Sequence, residues 1–222
     1  MHKTPLFAAA ALAACSGLAQ ADTTILSFSF SDLSGSYSTA SGHFGALGVN
    51  VSPLQSQGDV SRLNLPSSGS ASYGTPGSAA GLINVDLTVS AIVPNSSAVG
   101  TGSISIFDAD GDSFHADVNG QFSLNGLGVF FNGTLSNIGW TDVGVQDGLL
   151  NGPSGGSIPL TFSPAPPPYT GAVVVLQIFQ GNFFTNDFSG FSTQTNGVVT
   201  PAPASVALLG LGGLFAARRR RA

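Results

Sequence analysis

The sequence contains no glutamate, a single cysteine and few charged side chains. Only 8% of its 222 residues are charged, and all eleven acidic residues are aspartate. Arg62 is the one basic residue between Asp22 and Gly197, so eleven aspartates and one arginine give this segment a net charge of −10. A strongly negative segment repels phosphate backbones, which argues against a nucleic-acid partner.

The scarcity of Glu, Lys and Arg also bears on secondary structure. These residues fill exposed helix faces at low entropic cost, whereas residues 22–197 are rich in Gly, Ser, Thr, Val and Phe. That composition is typical of strands joined by turns. Fourteen of the sixteen Phe residues lie in this segment, where we expect them to fill a core.

The N-terminal 21 residues have the pattern of a secretory signal peptide. Lys3 precedes an apolar stretch from Leu6 to Ala14, and small side chains at Ala19 and Ala21 predict cleavage after Ala21. The apolar stretch is too short for a membrane-spanning helix. We therefore predict an exported protein.

Cys15 provides a second processing route. The residues Leu12-Ala13-Ala14-Cys15 resemble a lipobox, in which the cysteine becomes the lipid-modified first residue of the mature protein. With cleavage after Ala21 instead, the mature chain has no cysteine and therefore no disulfide. The sequence leaves both routes open.

The C-terminal segment, residues 198–222, has three parts in a definite order. A Pro-rich stretch is followed by a 12-residue apolar run from Val206 to Ala217 and then by Arg218, Arg219, Arg220 and Arg221. Arginines stay on the cytoplasmic side of a membrane, so we expect an exported chain with this ending to stall in the inner membrane. Twelve residues are few for a stable span, and the run, predicted to be a short apolar helix, suits a transient anchor.

This C-terminal segment resembles a PEP-CTERM sorting signal. The residues that carry the resemblance are Pro201, Ala202, Pro203, Ser205 and the four terminal arginines. Ala202 stands where the family usually has Glu. The resemblance implies a bacterial protein that a membrane-embedded exosortase recognises and cleaves near the proline motif, much as a sortase system does.

Several windows of residues 22–197 alternate apolar and polar side chains, which predicts strands with one buried face. The alternation is unbroken from Ile83 to Ser90 and again from Phe114 to Leu124. No window has the apolar spacing of an amphipathic helix. Further strands are predicted at residues 26–30, 103–107, 128–133, 159–162 and 172–180.

We therefore predict an all-β domain over residues 22–197, an antiparallel β-sandwich or jelly-roll-like fold with Phe side chains between two sheets. The run Val173-Val174-Val175-Leu176 predicts a strand covered on both faces. Residues 163–168, Ser-Pro-Ala-Pro-Pro-Pro, are expected in a surface loop or at an edge because proline lacks the N–H donor.

Asp108, Asp110 and Asp112 are the candidate metal ligands. Three carboxylates spaced by two around Gly111 can converge on a hard cation such as calcium. The pattern is incomplete, because an EF-hand-type loop has Gly one position later and Glu near position 119. The same residues suit a tight turn between two strands, and the sequence leaves both interpretations open.

The sequence offers few residues for catalysis. Residues 152–156, Gly-Pro-Ser-Gly-Gly, have the spelling of a nucleophile elbow around Ser154, but no helix is predicted after them, so we expect a loop. His43 and His115 are the only histidines beyond residue 21, and no pattern orients either toward Ser154. We therefore expect a protein that is not an enzyme and has no cofactor other than the calcium considered above.

Export, low charge and many hydroxyl side chains predict a surface or extracellular-matrix protein, first held in the inner membrane and then released to the cell surface or an extracellular polysaccharide layer. The rival hypothesis is a carbohydrate-binding or adhesive module, calcium-stabilised in one version, whose aromatic side chains stack on sugar rings. A hydrolase is a more distant third. The aromatic candidates, which the core equally suits, are Trp140, Tyr37, Tyr73 and Tyr169.

Overall fold

The computed structural model describes residues 24–63, 68–126, 128–161, 168–178 and 183–202. These residues form strands and no helix, which confirms the all-β prediction. The first seven strands are β1 (Leu26–Ser38), β2 (His43–Leu47), β3 (Asn50–Val51), β4 (Leu54–Gln55), β5 (Gln57–Arg62), β6 (Gly69–Tyr73) and β7 (Ile83–Val93). The others are β8 (Ser97–Phe107), β9 (Ser113–Asn125), β10 (Gly128–Thr141), β11 (Leu149–Asn151), β12 (Ser157–Pro159), β13 (Tyr169–Ile178) and β14 (Phe188–Pro201).

The described residues contain no helix of the length and apolarity needed to cross a membrane. The short helix predicted at residues 206–217 and the proline-rich segment at 163–167 lie outside the described residues.

Alternation in the sequence becomes alternation of burial in the strands. In β7, Ile83, Val85 and Leu87 are buried, while the intervening Asn84 and Asp86 are exposed. Successive side chains of a strand point to opposite faces, so apolar residues two apart share the inner face. The strands predicted from period-two windows at residues 83–90 and 114–124 are confirmed.

Eight strands form one closed antiparallel sheet, a barrel, in the order β1, β2, β7, β8, β9, β10, β13 and β14. β14 pairs with β1 from Leu26 opposite Val199 to Tyr37 opposite Phe188, and this pairing closes the ring. The predicted sandwich or jelly roll has two separate facing sheets. The structure has one closed sheet because the first and last strands of the domain pair with each other.

β1 pairs with two strands along one edge. Its first half, Leu26 to Ser31, pairs with β5, and its second half, Ser34 to Ser38, pairs with β2. The change of partner coincides with a bulge at Asp32, where φ is 55°. Such a bulge bends a strand and redirects its pairing. β6 pairs with the outer edge of β5, so β5 and β6 extend the sheet beyond the ring.

The strand registers define two ends of the barrel. At one end, called the base, Leu26 opposes Val199 and Ser113 opposes Thr141, so β1 begins, β14 ends and the 108–112 turn lies there. The opposite end, called the far end, carries the turns at residues 39–42 and 94–96. The chain therefore enters and leaves the barrel at the base.

Aromatic side chains fill the inside of the barrel. The ring centroids of Phe28 on β1 and Phe114 on β9 are 5.8 Å apart, although these strands are not neighbours, so the rings meet across the interior. Each fully buried ring stabilises the fold by roughly 1.5–3 kcal/mol. The predicted Phe core is confirmed by the buried residues Phe28, Phe30, Phe44, Phe114, Phe122, Phe131, Phe183 and Phe184.

Phe184 occupies the far end of this interior. It belongs to no strand, has φ of 53° and is 4% exposed. Its ring centroid lies 4.7 Å from that of Phe122, 4.8 Å from Tyr37 and 5.0 Å from Phe183. A bulky residue rarely adopts positive φ, so these packing contacts must offset the backbone strain.

Asp187 attaches the segment containing Phe184 to the β1–β2 turn. Its Oδ1 accepts hydrogen bonds from the backbone N–H of Thr39 at 2.7 Å and from the Thr39 hydroxyl at 2.6 Å. These two donors hold the pKa of the Asp187 carboxyl below its usual value.

Two strand predictions need correction. β13 is covered on one face only, because Val173 and Val175 are buried while Val174 is 38% exposed. No second layer covers Val174 among the described residues, since the sheet closes on itself. The strand predicted at residues 159–162 is instead β12, which ends at Pro159 and pairs with β11 in a small separate hairpin.

We expect Phe184→Ala to lower the free energy of unfolding by about 3–5 kcal/mol, the usual cost of removing a buried Phe ring. Chemical denaturation of the purified barrel measures this loss. Phe130→Ala, which truncates a half-buried ring, is the matched control. An equal loss in the two variants would contradict a special packing role for Phe184.

We expect the stability difference between the parent protein and Asp187→Ala to depend on pH. The Asp187 pKa is lowered in the folded state, so its contribution is present above the unfolded value near 3.8 and declines as the pH falls through the folded value. Denaturation midpoints from pH 7 to pH 2 measure the difference. A difference that does not shrink in acid would show that the carboxylate charge is not the cause; Asp142→Ala, at an exposed position, is the control.

Candidate functional site

The predicted metal ligands lie in the turn between β8 and β9 at the base. Asp108 and Asp112 are 2% and 0% exposed, whereas Asp110 is exposed. Asp108 Oδ1 accepts the backbone N–H groups of Asp110 and Asp112, each at 2.9 Å. Gly111 has φ of 95°, a conformation that glycine adopts without steric cost. The short Asp side chain therefore folds back onto its own turn.

The same two carboxylates attach the turn to other segments. Asp108 Oδ2 accepts the backbone N–H of Asn151 in β11 at 3.0 Å. Asp112 Oδ1 accepts the backbone N–H of Val143, which follows β10, at 2.6 Å. Asp112 Oδ2 is buried and has no hydrogen-bond partner among the described residues. Together these bonds join the 108–112 turn to β11 and to the loop that follows β10.

This geometry is that of a turn held by carboxylate–backbone bonds, the second of the two interpretations drawn from the sequence. No group of three or more His, Cys, Asp or Glu side chains in the described residues is arranged to hold a metal ion. The calcium hypothesis for Asp108, Asp110 and Asp112 stays a prediction. The spacing of the aspartates in the sequence did not show that the Asp108 carboxylate accepts three backbone N–H groups.

The aromatic residues considered for sugar stacking lie in or against the core. Tyr73 is fully buried and donates a hydrogen bond from its hydroxyl to the carbonyl oxygen of Phe107 at 2.7 Å. Burial, with a smaller effect of the Asp108 charge, raises the pKa of Tyr73, so its hydroxyl stays protonated. Tyr37 is 5% exposed, and partly buried Trp140 and Tyr169 pack against the core.

Ser154 lies in a loop, as predicted, and this loop covers the free edge of β6. The carbonyl oxygen of Gly155 accepts the N–H of Ser72 at 2.9 Å, and the N–H of Ser154 donates to the carbonyl of Ser72 at 2.8 Å. Ser154 Oγ accepts the N–H of Thr75 at 3.0 Å. These bonds protect an exposed strand edge, a role that differs from that of a nucleophile.

Of the two histidines, His43 makes a side-chain contact with a carboxylate. Its Nδ1 lies 2.9 Å from Asp86 Oδ1 on the outer face of the barrel, and both side chains are half exposed. An ion pair this open to solvent contributes about 0–1 kcal/mol. His115 is partly buried on β9 beside Gly139 of β10.

A shallow depression on the outer face was not foreseen from the sequence. It has a volume of about 380 Å³ and lies across β5, β1, β14 and β13. Exposed Val174 and Val198 form its apolar part, and Ser29 donates a hydrogen bond to Asn196 Oδ1 at 2.7 Å within it. In the sequence, Val198 stands out among the polar outward residues of β14, whereas Val174 lies within the apolar run of residues 173–176.

The C-terminal segment begins within the barrel. β14 ends at Pro201, which opposes Tyr169, and Ala202 follows it directly. Residues 198–201 of the predicted sorting segment are therefore paired in the sheet. The remaining residues of that prediction, Pro203, Ser205 and Arg218 to Arg221, lie outside the described residues, as do Cys15, Ala19 and Ala21.

The hydrogen bonds of these candidate sites stabilise turns and strand edges. Comparison with known proteins does not assign a function to them. No protein-family model, curated protein or solved structure matches the chain.

We expect Asp108→Ala to lower the free energy of unfolding by about 3 kcal/mol or more, because three N–H groups lose a charged acceptor worth roughly 1.5–3 kcal/mol each. Asp110→Ala, at an exposed position, should change it by less than about 0.5 kcal/mol. Urea denaturation compares the two variants. Equal effects would contradict the role assigned to Asp108.

The same protein provides a test of the calcium hypothesis. If the turn is held by carboxylate–backbone bonds alone, millimolar calcium should leave the melting temperature of the parent protein unchanged. A ligand that binds only the folded state raises the melting temperature with its concentration. If calcium raises the melting temperature of the parent protein but not that of Asp112→Ala, the metal interpretation is supported.

Proposed function

We propose that this chain is an exported, non-catalytic surface or extracellular-matrix protein that an exosortase-type system sorts through its C-terminal segment. The observation that carries the proposal is the order of parts at the C-terminus, a proline motif, an apolar run and four arginines, together with an export signal at the N-terminus. The two signals agree physically, because the arginine cluster acts on a chain that is already crossing a membrane.

The described fold supports this proposal, because the beginning of β1 and the end of β14 lie together at the base of the barrel. Ile25 donates its N–H to the carbonyl of Val199 at 2.8 Å, so the first and last strands are joined where the chain enters and leaves. The closed barrel is the part of the chain that we propose is displayed on the surface.

The outer face supports a role in a hydrated matrix. Thr101, Asn119 and Thr134 oppose one another across β8, β9 and β10, and all three are exposed. Hydroxyl and amide side chains of this kind exchange hydrogen bonds with water and with neutral polysaccharide alike. Low charge limits long-range attraction to ionic partners.

The carbohydrate-binding alternative has less support. Recognition of sugar rings by stacking needs exposed aromatic faces, and the candidate residues Tyr37 and Tyr73 are buried in the core. Partly buried Trp140 packs at 5.3 Å from Phe114 in an edge-on arrangement. A passive surface role does not require such a site.

The intact mass of the mature protein from the cell envelope tests the proposal. We expect a species that lacks residues 1–21 and the four terminal arginines, or one that begins at a lipid-modified Cys15 if the lipobox is used. Replacing all four arginines with serine should abolish processing of the tail while leaving the barrel folded. Mature protein that retains its arginine tail in the cytoplasm would refute the proposal.

We also expect Ala202→Glu to accelerate removal of the tail, since it restores the residue that the PEP-CTERM family usually has at this position. Pulse-chase labelling of the full chain measures the rate. Ala204→Glu, which places the same charge two residues away, is the matched control. Equal rates in the three proteins would show that the processing enzyme does not read position 202.

A further inference from the structure

The last two residues of β14 are held less firmly than the residues before them. Val199 is paired on both sides, with Gly171 of β13 and with Leu26 of β1. Thr200 and Pro201 pair with β13, whereas the ladder between β14 and β1 ends one residue earlier, at Val199 and Leu26. Strand ends with one partner open locally at low cost in free energy.

Pro201 is both the last residue of the barrel and the first residue of the proline motif. There is consequently no spacer between the paired sheet and the segment that a sorting enzyme reads. Backbone groups engaged in a sheet are not available to a second protein, and a folded chain is cut through its locally opened form.

We propose that the opening of Thr200 and Pro201 from β13 limits the rate at which the tail is processed. This inference rests on the proposed sorting function. The cut itself breaks one peptide bond and passes the acyl group to water or to an acceptor amine or hydroxyl, so it needs no oxidant or reductant. What the barrel controls is the fraction of time for which the motif is free.

Gly171 gives a way to alter this pairing without touching the motif. A Cβ atom at this position would overlap the carbonyl oxygen of Val198, so an alanine there must push β13 and β14 apart near the base. Gly120 provides a matched site elsewhere, because its added Cβ would overlap the carbonyl oxygen of Asn132 between β9 and β10. Both substitutions therefore force a carbonyl oxygen of the neighbouring strand to move, but at different strand pairs.

The experiment compares tail removal in the full chain by pulse-chase labelling in a bacterium that processes such signals. One variant carries a flexible insertion of about eight Gly and Ser residues between Thr200 and Pro201, which separates the intact motif from the sheet. The second is Gly171→Ala, and the third is Gly120→Ala. Melting temperatures measure the overall stability that Gly171→Ala and Gly120→Ala each lose.

We expect the insertion and Gly171→Ala each to raise the rate of tail removal by roughly fivefold or more, the effect of about 1 kcal/mol on a local equilibrium. Gly120→Ala should leave the rate near that of the parent. Equal rates in the parent and the insertion variant overturn the inference, and so does equal acceleration by the two glycine substitutions. If Gly171→Ala does not fold, the insertion variant alone decides.

These outcomes are separate from failure of the proposed function. If neither the parent nor any variant loses its tail, the sorting proposal itself fails. If all lose it at one rate, sorting stands and only the control by strand pairing is refuted.

Discussion

The pairing of β1 with β14 is the constraint on which the rest of the structure depends. It joins residues that are 151 to 173 positions apart, from Tyr37 opposite Phe188 to Leu26 opposite Val199. Without it the sheet would end in two long open edges, which attract other chains. With it the sheet surrounds a closed interior, and the beginning of β1 meets the end of β14 at the base. The entropy lost in closing so long a loop must be offset by burial inside the barrel.

Aromatic packing provides that burial. Phe28 and Phe114 meet across the interior, and Phe184 fills the far end from a connecting segment. The contact between His43 and Asp86 lies exposed on the surface and contributes little to stability. Stability therefore comes from apolar area removed from water and not from networks of charge, which is consistent with a chain that has so few charged residues.

The aspartates have a structural use that explains part of the bias against glutamate. Asp108 and Asp147 accept backbone N–H groups two to four residues further along the chain, and Asp112 and Asp187 accept them from distant segments. A carboxylate one methylene from the backbone reaches groups two to four residues away, whereas the longer Glu side chain loses more rotamer freedom in doing so. The acidic residues thus fix the connections of the barrel, while Ser, Thr and Asn cover its outer faces.

The sequence by itself located several long strands and the Phe residues of the core, but it did not locate β2, β5, β6 or β14. Period-two patterns located β7 and β9 because side-chain direction in a strand depends only on adjacent residues. Closure of the sheet, the exposed outer face of Val174 and the bonds of Asp108 to Asn151 were decided by tertiary structure. Each depends on which distant segments meet, and local spacing carries no information about that. The apolar run of β13 was misread for this reason, since apolarity shows that a residue tolerates burial and only a neighbouring layer can bury it.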